Sequence, residues 1–300
     1  MTIKEIPIVG FDAKLNNSGN NYPQSTNPFA PKLFSNFLFV SSRNSGKTHS
    51  CVKLIKNAYE DAKLIDNDGI VHPLRVFLIS PTYDANKIFE NLKSLDENDI
   101  HQEYTDEIFQ EIIDDIEKTN EEVQEYKLYK DAYELIKRTK KNNILKLITE
   151  RPEILEILQQ YDFQHPDTID IKYREKPVNF LILDDLMSSS AFSRKTQNLL
   201  TYYLIRNRHH FISFFILVQH LRAVPPSIIN NCNVYFIGKF ASHKYILEQL
   251  YEMVSNVLTE EQFSDLYTHA IADKYGALII DNSGDTKRFY KALDKELIIE

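Results

Sequence analysis

FLFVSSRNSGKT, residues 37–48, runs four apolar residues straight into a polar loop that closes on Gly46, Lys47 and Thr48. Behind it Val52, Leu54 and Ile55 recur at helical spacing. A strand, a loop and a helix in that order make a phosphate cradle, because N–H groups of the loop and of the helix N-terminus can wrap an anion. Ser41, Ser42, Arg43, Asn44, Ser45, Gly46, Lys47 and Thr48 are the expected contacts to ATP. Lys47 is placed to reach the β and γ oxygens, and the Thr48 hydroxyl to ligate Mg2+. The consensus opens with glycine where this chain has Ser41, so a costly entry turn is expected at a residue with a Cβ. A chance Gly-Lys-Thr after a strand is the competing reading.

Downstream, NFLILDD (residues 179–185) is a nearly continuous apolar strand that ends in two carboxylates. Such a strand is expected mid-sheet beside the first, with Asp184 holding Mg2+ directly or through water and Asp185 acting as, or orienting, the base for the attacking water. An aspartate that merely caps a helix is the bland alternative. ISFFILVQ (residues 212–219) ends in Gln219, at the strand end where ligands of open α/β sheets gather. Its amide can donate to a phosphate oxygen and accept from water, although a plain surface glutamine is the competing reading. RNRHH (residues 206–210) stands just before that strand. Arg208 there is either an arginine finger or a cation favoured by a helix C-terminus, and Arg43 is a second candidate acting in cis. His209 and His210, with no cysteine nearby, stay unassigned.

Working outward, apolar runs at 37–40, 75–80, 178–183, 211–218, 234–237 and 277–280 alternate with helical patterns after Gly46, at about 197–205, 244–254 and 260–272. The alternation predicts an α/β fold with a mostly parallel central sheet flanked by helices. Residues 1–35, with Pro23, Pro28 and Pro31 among asparagines and serines, read as an N-terminal arm, leaving 36–300 as one P-loop domain. The stretch from about 84 to 174 is too long for a bare loop. Phe109, Ile112, Ile113 and Ile116, then Val123, Tyr126, Tyr129, Tyr133 and Ile136, predict an inserted helical hairpin. It is acidic from Asp96 to Glu125 and ends in Lys137, Arg138, Lys140 and Lys141, either a solvated face or a nucleic-acid contact.

Composition narrows the classes. Only seven glycines occur in 300 residues, so Gly46 inside a short polar loop is informative. Cys51 and Cys232 form no metal-ligand pattern, which fits a reducing, intracellular setting. No apolar run approaches the ~20 residues needed to span a bilayer, and a soluble protein is expected. A formal net charge of -8 excludes a surface that is basic all over, but not a local basic strip.

The order SSRNSGKT, LILDDL, RNRHHFISFFILVQHLRAVPPSIINN resembles the poxvirus-type genome-packaging ATPases of large DNA viruses and virophages, within the FtsK-HerA superfamily. The resemblance spans about residues 36–240 and includes Pro226 and Asn230. It implies a RecA/FtsK-HerA-like fold and an ATPase that drives double-stranded DNA into a preformed capsid. Implied partners are duplex DNA, further copies in a homo-oligomeric ring, and a capsid or portal-vertex protein, in the host cytoplasm at the viral factory and in the virion. Implied roles fall on Lys47, Thr48, Asp184, Asp185, Gln219 and Arg208. Ser41 and Arg43 depart from the pattern, Arg43 towards large terminase subunits, but the chain after Phe240 leaves no obvious room for their nuclease. A P-loop phosphotransferase, a nucleotide-regulated switch that never moves DNA, and a virion component that has lost hydrolysis are the alternatives.

Overall fold

A computed structural model describes residues 21–187, 189–194, 198–240 and 244–298. Residues 1–20 of the expected arm, and Gln197 at one expected helix start, lie outside the described residues. Residues 21–35 form a strap: β1 (Gln24–Ser25) joins a small antiparallel sheet, and Leu33 and Phe34 are buried. β2 (Asn36–Val40) then leads through the phosphate-cradle loop into α1 (Lys47–Ile55). Two short strands, β3 (Leu64–Ile65) and β4 (Val71–His72), complete the small sheet with β1. β5 (Leu74–Ile79) and β6 (Leu95–His101) precede three helices, α2 (Asp106–Arg138), α3 (Lys141–Glu150) and α4 (Glu153–Gln160).

The acidic pair ends β7 (Val178–Asp184), which is followed by α5 (Leu199–Arg206) and β8 (Ile212–Val218). After α6 (Pro226–Ile229) come β9 (Val234–Ile237), α7 (Lys244–Tyr251) and α8 (Glu260–Ala270). The chain closes with β10 (Leu278–Asp281), β11 (Arg288–Lys291) and β12 (Lys295–Leu297).

All six expected strands form, in one nine-stranded sheet of order β12-β11-β10-β9-β2-β8-β7-β5-β6. The six from β9 to β6 are parallel. The acidic strand β7 does not lie beside β2, contrary to expectation, because β8 separates them. β2, β7 and β8 are all fully buried and share the centre of the sheet, so burial alone does not order them. Phe215 of β8 stacks on Phe37 of β2 at 4.3 Å between centroids and packs against Phe180 of β7 at 4.9 Å. The last expected strand is also reversed: β10 runs antiparallel to β9. The chain leaves β9 on one rim and, after α7 and α8, re-enters from that same rim, so the direction must flip.

Alternate residues of each central strand face two cores. Leu38, Val40, Leu181, Leu183, Phe214 and Ile216 meet α2, α5, α6, α7 and α8 on one face. Phe37, Phe39, Phe180, Ile182, Phe215 and Leu217 meet α1 and the strap on the other.

Two features of the long insertion differ from the reading. Residues 95–101 are the edge strand β6, concealed in sequence because LDENDIH carries the charges that protect an edge. And 106–138 is one 33-residue helix rather than two arms of a hairpin. It contains no glycine or proline to break it, and Thr105 caps its start by accepting from the Ile108 N–H. The return is made by α4, whose Ile154 and Leu158 join Tyr129 and Ala132 in a small third core. Buried Arg75 at the start of β5 fixes α2 on the sheet. Its Nε and Nη2 donate to Asp99 of β6 at 2.9 and 2.6 Å, and Nη2 also donates to Asp115 of α2 at 2.6 Å. By Asp115 the helix has therefore run from the rim where β6 ends to the rim where β5 begins. The 23 residues from 116 to 138 carry on for about 35 Å at ~1.5 Å each, taking Lys137 and Arg138 away from the sheet.

Candidate functional site

The cradle loop folds on two left-handed residues, Asn44 (φ 58°) and Gly46 (φ 89°). Asparagine and glycine are the residues that adopt this region most readily. Ser41 is not among them, so the strained entry turn expected there is absent. What Ser41 needs is space. A Cβ built on Gly238, just past β9, would lie 2.6 Å from the Ser41 Cβ, which no real structure tolerates. Gly238 thus makes room for the serine that replaces the consensus glycine. Ser41 in turn shares a hydrogen bond between its Oγ and the Ser45 Oγ, and Ser45 donates to the Ser42 carbonyl. The loop is pinned to the sheet by Ser41 N–H to Val218 O at 3.3 Å and Ser42 N–H to Lys239 O at 3.1 Å.

Gly238→Ala is therefore expected to destabilise the protein by roughly 1–3 kcal/mol through overpacking, with most of the loss recovered when Ser41→Gly is added. Urea unfolding of the two single variants and the double variant checks this. A double variant as unstable as the sum of the singles would disprove the pairing.

Lys47 Nζ folds back to donate to the carbonyls of Ser41 (3.1 Å) and Ser42 (3.4 Å). Burial lowers its pKa, while the charges of Asp184 and Asp185 work in the opposite direction. Thr48, half-buried, follows in the first turn of α1. Asp184, the last residue of β7, is buried and accepts from Ser80 Oγ at 3.3 Å. Asp185 takes a left-handed φ of 57°, which turns its carboxylate to Gln219, whose Nε2 donates to Asp185 Oδ1 at 2.9 Å. Strain of this kind, held by its surroundings, is common where a side chain must be aimed. Lys47, Asp184, Asp185 and Gln219 thus meet at the C-terminal rim of β2, β7 and β8. Arg43 is exposed on the loop.

Arg208 stands elsewhere. It is exposed in the turn before β8, at the opposite end of a seven-residue strand from Gln219. At ~3.3 Å per residue that is about 23 Å away. The turn is firmly seated, because buried Asn207 donates to the Phe34 carbonyl and to Asn36 Oδ1. His210 is taken up by a contact of 2.9 Å between its Nδ1 and a carboxylate oxygen of Glu117 in α2.

The donor set suits Mg2+. Asp184 and Thr48 offer hard oxygens, and burial, then the Asp185 charge, raise the Asp184 pKa from 3.8 to about 6, marking a carboxylate short of positive charge. Among the described residues no three His, Cys, Asp or Glu side chains gather to hold a metal. An ion held by one carboxylate, one hydroxyl, phosphates and water needs no such cage.

That raised pKa has a measurable consequence. The folded protein holds a proton on Asp184 that the unfolded chain releases near pH 3.8, so stability falls as pH rises from about 4 to 6 and stays low above it. The loss is on the order of 2–3 kcal/mol. Asp184→Asn is expected to be more stable than the natural chain at pH 7.5 by about that amount, and little different at pH 4. Denaturant midpoints at the two pH values test it. The same pH dependence in both proteins would acquit Asp184.

The fold is an α/β fold in which a phosphate-cradle loop joins β2 of a mostly parallel central sheet to α1. No protein-family model and no curated protein matches the chain. Among solved structures it is similar to the DNA-packaging ATPase B204 of Sulfolobus turreted icosahedral virus, at 11% identity over 86% of this chain and 98% of that one, with a TM-score of 0.47. The genome-packaging NTPase B204 of Sulfolobus turreted icosahedral virus 2, in complex with ATPγS, is 10% identical over 86% of this chain and 97% of that one, with a TM-score of 0.45. ATPases 2 and 3 of EssC from Geobacillus thermodenitrificans are 14% identical over 89% of this chain and 41% of that one, with a TM-score of 0.41. No helix among the described residues is long and apolar enough to cross a membrane.

Three features escaped the sequence reading. Ser80, which reaches Asp184, sits at the end of an apolar strand with nothing to single it out. Gly238 had a signal, being one of only seven glycines and directly following the VYFI strand. The strand between β2 and β7 had none, since order in a sheet is a long-range property.

Proposed function

We propose that this chain hydrolyses ATP with Mg2+ to drive double-stranded DNA, in the manner of a viral genome-packaging motor, as one subunit of a ring that works against a capsid or portal-vertex protein in the infected cell. The observation that carries the ATPase reading is the convergence of Lys47, Asp184, Asp185 and Gln219 at one sheet rim. Lys47 trades its two loop carbonyls for β and γ oxygens, and Asp184 with Thr48 holds the metal. The metal, when bound, neutralises charge on the transferring phosphoryl group. Asp185, aimed by Gln219, takes the proton of the attacking water. Gln219 then stands between base and γ-phosphate and couples the presence of the phosphate to the position of the base.

The DNA reading is supported by the sequence resemblance and by the basic end of α2. There Lys137 and Arg138 are exposed, with only long contacts of 3.8 and 3.7 Å to Glu134. Exposed pairs of that kind contribute little and leave the cations available to phosphates. ATPase activity of the purified chain is expected to rise with duplex DNA, and DNA affinity to fall steeply with salt. Replacing Lys137, Arg138, Lys140 and Lys141 by alanine should reduce the slope of log affinity against log salt by up to about 3–4. A slope that does not change would put the DNA grip elsewhere. Turnover indifferent to DNA but dependent on a small acceptor would favour a phosphotransferase.

A further inference from the structure

Resting on the nucleotide reading above, we propose that Tyr275 is the platform on which the adenine base stacks, a subsite outside the P-loop and the acidic pair. A Cβ built on Gly46 would lie 3.4 Å from Tyr275 Cδ1 and 3.6 Å from its Cβ, so the tyrosine lies in van der Waals reach of the cradle at the start of α1. It comes from the link between α8 and β10, which enters the sheet on the rim that holds the site. Yet the residue is 56% exposed. The side chain thus touches the loop while more than half of the residue stays exposed beside the phosphate site.

The segment that presents it is rigid. The Gly276 N–H donates to the Asp273 carbonyl at 3.0 Å, which closes a tight turn with Tyr275 at its third position. Gly276 admits no side chain, because a Cβ there would meet the Ala270 carbonyl oxygen at 2.4 Å. Asp273 is tied to β11 by Lys291 at 2.9 Å, and that ion pair holds its carboxyl below its ordinary range. The Ala292 N–H binds the Ala277 carbonyl at 2.7 Å on the other side of the turn. Single exposed aromatics are common and by themselves mean little. This one is held on a fixed turn against the loop that cradles phosphates. The N–H groups and Lys47 account for the phosphate tail and offer no apolar surface to a base. Lys274, with Nζ 5.1 Å from the ring centroid, is a long exposed side chain that swings aside readily.

Stacking accepts any flat π face and needs no base-specific hydrogen bond. The platform therefore adds affinity for the nucleoside part and none for the phosphates. Calorimetric titration of the full chain with Mg2+ and either the non-hydrolysable analogue AMP-PNP or inorganic tripolyphosphate separates the two contributions. Tyr275→Ala is expected to weaken AMP-PNP by about 5–150-fold and tripolyphosphate by less than about twofold, while Tyr275→Phe keeps AMP-PNP affinity. Unchanged AMP-PNP affinity in Tyr275→Ala overturns the platform. Equal losses for both ligands overturn it too, because they would make Tyr275 a prop for the loop. If the natural chain binds tripolyphosphate as tightly as AMP-PNP, the base has no subsite although the cradle stands. If it binds neither, the nucleotide site itself falls and takes the platform with it.

Discussion

Asp185→Asn protein is expected to bind ATP as tightly as the natural chain and to turn it over about 10²–10⁴-fold more slowly, whereas Lys47→Ala protein should fail at binding itself. The substitution at Asp185 is nearly isosteric, and the new amide oxygen can still accept the Gln219 Nε2 bond, 2.9 Å long in the structure. The left-handed backbone at residue 185 tolerates asparagine as well as aspartate. Shape and cradle are therefore retained, and only the ability to take a proton is lost. Lys47 differs because its ammonium is held over the cradle loop by the Ser41 and Ser42 carbonyls, where the proposed function brings it onto the phosphates. Its removal also leaves Asp184 beside Asp185 without the Lys47 charge that offsets their repulsion. Equilibrium titration and single-turnover hydrolysis distinguish the two variants. Near-normal hydrolysis by Asp185→Asn would remove that residue from the chemistry and move its role to Asp184 or Gln219.

Much of this arrangement could be read before any coordinates. Local signals carry residues 36–48, 178–185 and 212–219, because a buried parallel strand is an apolar run and a cradle loop needs glycine, lysine and threonine in fixed order. Their common rim follows from parallel strands joined by right-handed crossovers, which bring successive strand ends together. Lateral order does not follow. β7 and β8 are both buried along their whole length, and only packing across the sheet, such as Phe215 against Phe37 and Phe180, places β8 between β2 and β7.

The insertion shows a second limit. Periodicity finds the helix but reads it as two arms of a hairpin, whereas the chain continues unbroken to Arg138. Apolar spacing shifts where α2 leaves the main core and meets the small core of Tyr129 and Leu158, and a change of partner looks in sequence like a change of element. Ser41 shows a third. A residue that departs from consensus reads as strain, but its compensation is Gly238, 197 positions away along the chain and adjacent only after β9 has paired with β2.

Arg208→Ala protein is expected to bind ATP normally and to hydrolyse it about 10³–10⁵-fold more slowly if, as we propose, the guanidinium serves a neighbouring subunit. A P-loop site open at a sheet rim needs positive charge for the γ-phosphoryl oxygens at the transition state beyond what Lys47 supplies. Within its own chain Arg208 sits at the far end of β8 from Gln219, about 23 Å along a strand of seven residues, and cannot reach. It is exposed nonetheless, on a turn whose preceding residue, Asn207, is buried and bonded to the strap and to β2. A charged side chain held outward on a rigid base suits delivery to another molecule better than a role inside its own. Arginine also suits the task by its fixed charge and two-pronged donor geometry, so Arg208→Lys should restore little. Mixing Arg208→Ala with Lys47→Ala protein is the decisive measurement. At a mixed interface the first supplies an intact cradle and the second an intact finger, and some activity should return although each parent is inactive. If mixed oligomers form, as shown by co-purification of differently tagged chains, and hydrolysis stays absent, the finger does not act in trans. Arg43, exposed on the cradle loop itself, then becomes the residue to replace, and its loss should lower turnover in a subunit whose neighbours are all intact.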